Sequence, residues 1–166
     1  MEIWDGYRAD GTLAGVDLIR GEEIPEGLYH LVCEVLVQHA DGSFLLMRRS
    51  LSKPNLPGKW EASAGGSALK GESPEVCAKR ELWEETGIRA ESLTLIGRSV
   101  TANAIHCDYL CRTRQKKDSV CLQEGETIAC RWVDEAAFRD YLMSEDAIPT
   151  QNARRADYYR KMGYIQ

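Results

Sequence analysis

The chain has 166 residues, of which 43% are hydrophobic and 28% are charged, and its formal net charge is −5. A chain of this length and composition is typical of one soluble domain with a sizeable core. The negative balance offers no general attraction to nucleic acid or to an anionic membrane, so we expect neither as a partner. No apolar run approaches the roughly 20 residues of a membrane span, and the N-terminus lacks the basic and then apolar pattern of a signal peptide. We therefore expect a cytoplasmic protein.

The N-terminal part of the chain predicts a hairpin followed by a loop. Two short strands, within residues 2–8 and 12–19, are joined through Asp10-Gly11, a dipeptide that is a strong hairpin signal. Residues 21–30 then form a connecting loop. This segment fits either an edge hairpin or a lid or dimer contact that helps to choose a substrate, and the sequence leaves both open.

Two β-rich stretches follow the loop. Residues 31–37 predict a central strand, and residues 43–49 predict a second strand that ends in two arginines. Arg48 and Arg49 would point to opposite faces, so we expect only one of them to reach a site, unless both face solvent. A guanidinium suits phosphate because it makes bidentate contacts. Lys53, in the proline-rich loop that follows, could likewise contact phosphate or be exposed.

The stretch from Gly66 to Ile88 combines a glycine-rich loop with a strongly helical segment. Ser73 suits the N-cap, Pro74 the first helical position and Gly87 the left-handed residue after the last turn. The bare backbone of the loop allows close approach of a metal ion or a phosphate. We therefore predict a helix with a ligand-accessible loop before it.

Three carboxylates lie on one face of this helix. Glu81, Glu84 and Glu85 fall within an arc of about 100° at helical spacing. Their mutual repulsion costs a few tenths of a kcal/mol per pair, and a hard divalent cation would convert that cost into binding energy. The alternative is an ordinary solvated helix face with surplus glutamates. Against it, Arg80 could pair with Glu84 but cannot neutralise all three carboxylates. The pattern favours a metal site.

The remainder of the chain predicts alternating strands and helices. Strands are expected at residues 93–101, 105–112 and 127–133, and helices from Asp134 to about Met143 and from Pro149 to about Met162. In the last helix we expect Ala156 and Tyr159 to pack inward. Strands before and after one central helix, with helices at the C-terminal end, indicate a mixed sheet covered by helices.

The cysteines give no metal or disulfide pattern. None forms a CxxC pair, and several lie in apolar strand patterns, which favours buried free thiols: Cys33, Cys77, Cys107, Cys111, Cys121 and Cys130. The densest group of potential metal ligands is His106, Cys107 and Cys111. A zinc site there is the weaker alternative because no second ligand pair lies nearby.

The helical stretch resembles the signature of the Nudix hydrolase family. Gly66, five residues, Glu72, seven residues and then Arg80-Glu81-Leu82-x-Glu84-Glu85-x-Gly87-Ile88 agree with every defined position across 23 residues. The resemblance implies an α/β/α sandwich with a mixed β-sheet, in which the signature forms a loop–helix–loop metal site. We expect a single domain over residues 1–166, with the N-terminal β-hairpin and loop in residues 1–30, the core in 31–144 and a C-terminal helix in 145–166.

The resemblance also implies a reaction. Nudix hydrolases cleave a pyrophosphate linkage in a nucleoside diphosphate derivative or a related organic pyrophosphate, with Mg²⁺ or Mn²⁺. Such a metal neutralises charge on the P–O–P linkage and lowers the pKa of a bound water, which the protein must place in line. The substrate is expected to be a small molecule, and a homodimer follows from family habit only.

Residue roles carry over at the matching positions. The implied metal ligands are the Gly66 carbonyl, Glu81, Glu84, Glu85 and Glu126, the last placed just ahead of a strand as in some family members, with Glu124 as its rival. The implied catalytic residues are Glu81, Glu84, Glu85 and Arg80. Any of the glutamates, or a loop carboxylate, could act as base, because the family does not use one position throughout. Arg80 is expected to orient the glutamates, and Glu72 to be structural or outer-shell. Candidate substrate-binding residues are Arg48, Arg49 and Lys53.

A closer resemblance, over about residues 3–135, is to the Nudix branch built like isopentenyl-diphosphate isomerase. RGEEIPEGLYHLVCEVLV and RRSLSKPNLPGKWEASAGGSALKGE carry it. In that isomerase a cysteine precedes the signature glycine and a histidine follows it, whereas Gly65 and Ser67 stand here. The chain also keeps the full carboxylate set that the isomerase lacks. We therefore expect a hydrolase rather than an isomerase. The third alternative, a non-catalytic nucleotide or metabolite binder, would gain nothing from three repelling glutamates.

Overall fold

The computed structural model describes residues 1–166 and contains one seven-stranded mixed sheet. Its strands are β3 (His30–His39), β4 (Phe44–Arg49), β5 (Trp60–Glu61), β6 (Ala64–Ser67), β7 (Thr94–Val100), β8 (Ala104–Thr113) and β9 (Thr127–Val133). They run in the order β5-β4-β3-β8-β7, with β6 paired to β3 and β9 paired to β4. The β3–β8 pair is parallel, and all other pairs are antiparallel. The predicted mixed sheet is thereby confirmed.

Helices cover both faces of this sheet. They are α1 (Pro74–Thr86), α2 (Glu135–Leu142), α3 (Pro149–Arg154) and α4 (Ala156–Lys161), and a short 3₁₀ turn spans Lys117–Ser119. Alternation along β4 shows the layering, because Leu45 and Met47 pack in the core under α1 whereas Phe44 and Leu46 pack in the core under the C-terminal helices. The architecture is the expected α/β/α sandwich.

The predicted N-terminal hairpin is confirmed, but it is not an edge of the main sheet. Strands β1 (Ile3–Tyr7) and β2 (Leu13–Ile19) pair only with each other and form a separate two-stranded sheet. A single backbone bridge from Tyr7 to Tyr29 links it to the chain that enters β3. The hairpin is therefore an addition that packs on the core.

Helix α1 begins and ends as its sequence predicts. The Ser73 hydroxyl accepts a hydrogen bond from Val76 N at 3.3 Å, and Pro74 occupies the first helical position. Gly87 adopts φ 71°, and its N–H donates to the Trp83 carbonyl at 2.8 Å. These caps fix both ends of the segment that carries the three glutamates.

The prediction of one C-terminal helix is wrong. The segment divides at Arg155 into α3 and α4, and the inward residues are Gln151, Arg155 and Tyr159, whereas Ala156 is only half-buried. Arg155 is completely buried and donates to Asp108 Oδ1 at 2.6 Å and to the Ala62 carbonyl. A sequence pattern assigns such polar residues to the surface, which is why their inward face was missed.

The cysteines are all free, and most are buried. Cys33, Cys77, Cys107 and Cys111 lie in the core, Cys130 is half-buried and Cys121 is exposed. Buried thiols are thus confirmed for the strand and helix positions and are wrong for Cys121. No helix has both the length and the apolar character needed to cross a membrane.

Candidate active site

One polar cleft of about 570 Å³ brings together most of the predicted site residues. The signature contributes Gly66, Arg80, Glu81, Glu84 and Glu85, and the opposite wall contributes Arg49, Lys53 and Glu126. A cavity of this volume accommodates a nucleotide-sized ligand. Strands β4 and β6, helix α1 and the neighbouring loops therefore converge on one cleft.

Glu81 packs directly against Gly66. A Cβ added at residue 66 would lie 2.5 Å from the Glu81 carboxylate, so only glycine allows the side chain to occupy this position. Burial raises the pKa of Glu81, while the neighbouring Arg80 opposes that rise. Glycine at position 66 therefore lets the Glu81 carboxylate pack directly on β6.

Glu85 is the most buried of the three glutamates. Its Oε2 accepts a hydrogen bond from Gly65 N at 3.1 Å. Burial, and then repulsion from Glu61, raises the pKa of Glu85 well above its usual range. Sequence analysis missed Glu61, whose pKa is raised to about 7 by burial. No signal in the sequence distinguishes this acid, because a glutamate in a two-residue strand gives no periodic pattern.

Arg80 donates hydrogen bonds to three carboxylates, those of Glu72, Glu81 and Glu84. Its Nε and Nη2 donate to both oxygens of Glu72 at 2.7 and 2.8 Å. Its Nη1 donates to Glu81 at 2.7 Å and to the more exposed Glu84 at 3.2 Å, and Nη2 also reaches the Ser67 carbonyl at 3.1 Å. This geometry agrees with the expected orienting role of Arg80. Glu72 anchors it and also accepts from Leu69 N, away from the carboxylate cluster.

Only one of the two neighbouring arginines reaches the cleft. Arg49 lines it and donates to both oxygens of Glu61 at 3.2 and 3.3 Å and to the Asn55 carbonyl. Arg48 points away, is exposed and donates to the Gly58 carbonyl at 3.1 Å. Arg48 was a candidate substrate-binding residue, and the structure places it outside the cleft. Only one of the two arginines reaches the cleft because successive side chains of a strand alternate.

The opposite wall carries an ion pair between Lys53 and Glu126. Both residues line the cleft, whereas Glu124 is exposed and does not. Geometry thus favours Glu126 over its rival as a further acidic ligand.

The donor set fits a hard divalent cation, although no three acidic, imidazole or thiolate side chains yet converge on one point. Arg80 and Lys53 occupy carboxylate oxygens of Glu81, Glu84 and Glu126. A small cation such as Mg²⁺ keeps several waters and needs only one or two direct carboxylates. Burial and then the neighbouring acids disfavour the charged form of Glu85, and a bound cation would stabilise that form.

Comparison with known proteins agrees with this geometry. The family profile of the NUDIX domain matches residues 28–158. The chain belongs to the Nudix family. An uncharacterized Nudix hydrolase of Listeria innocua is 34% identical over 151 residues, which cover 90% of this chain and 89% of that relative. One of Listeria monocytogenes is 42% identical over 88 residues, which cover 53% of this chain and only about half, 52%, of that relative. These Nudix relatives support a Nudix-type hydrolase.

The expected branch within the Nudix family is also represented. An isopentenyl-diphosphate Delta-isomerase of Salmonella arizonae is 30% identical over 127 residues, which cover 72% of this chain and 68% of that relative. The crystal structure of DR0079 from Deinococcus radiodurans superposes with a TM-score of 0.75 at 18% identity, covering 95% of this chain and 99% of that one. At this identity, the match to DR0079 shows a shared fold.

The backbone around the Nudix signature leaves no room for an isomerase-type cysteine. A Cβ at Gly65 would lie 2.7 Å from the Cys33 carbonyl oxygen and 2.9 Å from the Glu34 Cα. Both contacts are with backbone of the central strand, which cannot yield as a flexible side chain can. The glycine at this position is therefore a packing requirement of this chain.

Proposed function

We propose that this protein is a metal-dependent hydrolase that cleaves a pyrophosphate linkage in a nucleoside diphosphate derivative or a related organic pyrophosphate. One observation carries the proposal. The three signature glutamates line the same cleft as Arg49 and Lys53. Oxygen donors suited to a divalent cation thus face cations suited to phosphate oxygens. Membership of the Nudix family supports a pyrophosphate hydrolase in general.

The cation in this proposal is Mg²⁺ or Mn²⁺, held by Glu81, Glu84, Glu85 and the Gly66 carbonyl, with Glu126 as a further ligand. When bound, the ion would neutralise charge on the P–O–P linkage and acidify a water. Within the chain, Arg80 holds Glu81 and Glu84 in place and Gly65 N holds Glu85. A carboxylate of this set accepts the proton of the attacking water.

Arg49 is proposed to bind substrate phosphate. Its guanidinium is fixed by Glu61 and by the Asn55 carbonyl, so it loses little freedom when a ligand arrives. Lys53 is proposed as a second phosphate contact. To make this contact, its ammonium group would exchange the ion pair with Glu126 for one with phosphate. The two residues would orient the linkage for in-line attack.

The test is release of phosphate or a nucleotide product from a panel of nucleoside diphosphates, sugar nucleotides and dinucleotides, with and without Mg²⁺. Glu84→Gln and Glu85→Gln should each lower kcat by about 10²- to 10⁴-fold. Glu75→Gln is the matched control, because Glu75 lies on the first turn of the same helix and pairs with Lys79. Turnover that survives both cleft substitutions would contradict the site assignment.

Two alternatives give different outcomes in the same experiment. A non-catalytic binder would bind the cation and ligands from the panel without turning any of them over. The similarity to named isomerases makes isomerisation of isopentenyl diphosphate worth assaying in parallel. The absence of space for a cysteine at residue 65 predicts that no isomerisation occurs.

The cellular setting is part of the proposal. We infer a single domain over residues 1–166, a small-molecule substrate rather than a nucleic acid or a membrane, and a cytoplasmic location. A homodimer is inferred from the habit of the family. Light scattering on the purified chain would test the assembly.

A further inference from the structure

The N-terminal hairpin contributes its own residues to the cleft. Glu2 and Arg20, at the open ends of β1 and β2, line the same cavity as the signature glutamates. The Arg20 side chain is 63% exposed, and its Nη1 donates to Glu2 Oε2 at 2.9 Å. A cation from outside the sandwich core thus stands in the wall of the proposed active site.

Several hydrogen bonds fix this hairpin to the loop that precedes α1. Lys70 N donates to the Ile3 carbonyl at 2.9 Å, and Gly71 N donates to the Asp5 carboxylate at 2.6 Å. The Lys70 ammonium also pairs with Asp17 at 2.6 Å. The hairpin is therefore held as a wall of the cleft, beside β6, which supplies Gly66.

A stacked aromatic pair orients the Arg20 side chain indirectly. Trp4 is buried and stacks on His30 with ring centroids 4.5 Å apart. The Trp4 indole N–H donates to Glu2 Oε1 at 2.8 Å, which leaves Oε2 of the same carboxylate to receive Arg20. The backbone N–H of Arg20 adds a 3.0 Å bond to the Glu2 carbonyl. The position of the guanidinium is thus set by a chain of contacts that ends in the core.

Arg20 is the cleft cation with the most unused hydrogen-bonding capacity. Arg80 is bound to Glu72, Glu81 and Glu84, and Arg49 and Lys53 are paired with acids of the opposite wall. Only one side-chain donor of Arg20 is used, so its other N–H groups are open to a ligand. An exposed guanidinium held on one side suits an oxyanion that offers two acceptors.

We propose that Arg20 binds a terminal, unesterified phosphate of the substrate and so selects nucleotides with a free phosphate end over those whose pyrophosphate is capped by a neutral sugar. This inference rests on the proposed function, because it assumes that a pyrophosphate lies across the signature glutamates. A terminal phosphate carries more charge than an esterified one and presents more free oxygens to the guanidinium. Arg20 is a specificity residue in this scheme.

The experiment compares Arg20→Gln with the wild-type protein on a nucleoside triphosphate and on a sugar nucleotide with the same base. For the triphosphate we expect kcat/KM to fall about tenfold, mainly through KM, because the contact helps hold the bound ground state. For the sugar nucleotide we expect a change below about twofold. Arg20→Lys should recover part of the loss, since it keeps the charge without the bidentate geometry.

Arg8→Gln is the matched control. Arg8 lies on the same hairpin, donates to the Leu13 carbonyl at 2.6 Å and does not line the cleft. It should leave the ratio of the two kcat/KM values unchanged. A parallel loss on both substrates in Arg20→Gln, or no loss on either, would overturn the assignment of Arg20.

A second measurement separates this inference from the proposed function. If the wild-type protein cleaves neither substrate, the proposed hydrolase is wrong or its substrate lies elsewhere. Binding of a non-hydrolysable imidotriphosphate nucleotide, measured by calorimetry, still tests Arg20 in that case. The Arg20→Gln variant should bind it about tenfold more weakly than wild type, and equal or undetectable binding by both proteins would refute the role of Arg20.

Discussion

Two clusters of acids and arginines lie on opposite faces of the central sheet, and they differ in what completes them. In the cleft, Arg80 pairs with Glu81 and Glu84, Glu85 accepts from Gly65 N, and the cavity beside them is open. Their negative charge exceeds what that arginine can neutralise. A bound cation would neutralise the excess negative charge of this cleft cluster.

On the other face, Glu34 and Asp108 are matched by Arg154 and Arg155. Asp108 and Arg155 are almost wholly inaccessible, and Gln151 donates a further bond to Glu34 at 3.2 Å. Two acids face two arginines, so the formal charges balance within the chain, while Asp108 Oδ2, Arg154 Nε and Arg155 Nη2 are buried without a hydrogen-bond partner. Similar residue types thus line an open cleft on one face and form a buried ion-pair cluster on the other.

The buried cluster also supports the cleft. Arg155 donates to the Ala62 carbonyl, and Gln151 Oε1 accepts from Ala62 N at 2.9 Å. Ala62 lies a few residues before Gly65 and Gly66, whose positions define the cleft. The C-terminal helices thereby hold the segment between β5 and β6 that leads into Gly65 and Gly66.

We expect Arg155→Met to cause the largest loss of stability. The substitution leaves Asp108 buried without its main partner, and removing one member of a buried ion pair costs about 3–5 kcal/mol of unfolding free energy. Urea unfolding would measure the loss. Arg160→Met, which removes an exposed pair with Asp157, should change stability by less than about 0.5 kcal/mol.

A double variant, Arg155→Met with Asp108→Leu, separates the effect of the ion pair from that of the Ala62 contact. Replacing both members by apolar side chains removes the uncompensated charge, so a large part of the lost stability should return. If the double variant is as unstable as the single one, the loss would come from the Ala62 contact rather than from the ion pair.

The two clusters were not equally predictable from the sequence. The cleft glutamates follow from helical spacing and capping residues, because these patterns depend on residues close in sequence. The buried cluster joins Glu34, Asp108 and Arg155 across 121 positions of chain, and nothing local indicates their pairing. The same reason explains why Glu61 and Arg20 were missed as neighbours of the cleft. Long-range contacts between irregularly spaced polar residues leave no periodic signal.

Gly66→Ala should separate activity from stability in the cleft. The new Cβ would meet the Glu81 carboxylate at 2.5 Å, and this flexible end of a side chain can move aside at small cost to the fold. The displaced carboxylate would no longer be placed for the cation, so kcat should fall about 10- to 100-fold. Thermal unfolding and kcat would be measured together.

Gly97→Ala provides the control for Gly66→Ala. Its added Cβ would meet the Arg154 carbonyl at an ordinary 3.4 Å, and Gly97 does not line the cleft. We expect activity close to that of the wild type. Full activity in Gly66→Ala would show that the close packing of Glu81 is not needed for catalysis.

Glu61→Gln tests the acid that lies between the two clusters. Glu61 is repelled by Glu34 on the buried side and itself repels Glu85 in the cleft. Burial raises its pKa to about 7 from an ordinary 4.5, so the folded state favours the protonated form. That stabilisation is fully present below about pH 4.5 and is lost as the pH rises through about 7.

The stability of wild type relative to Glu61→Gln should therefore fall between about pH 4.5 and 7, by about 1–3 kcal/mol. Unfolding would be measured in a chelating buffer, so that cations in the cleft do not contribute. Glu135→Gln, which removes a surface charge paired with Arg139, should show a smaller dependence on pH. A constant difference between wild type and Glu61→Gln across this range would mean that Arg49 keeps Glu61 ionised throughout. The acid would then belong with the balanced charges of the buried cluster rather than with the repelling charges of the cleft.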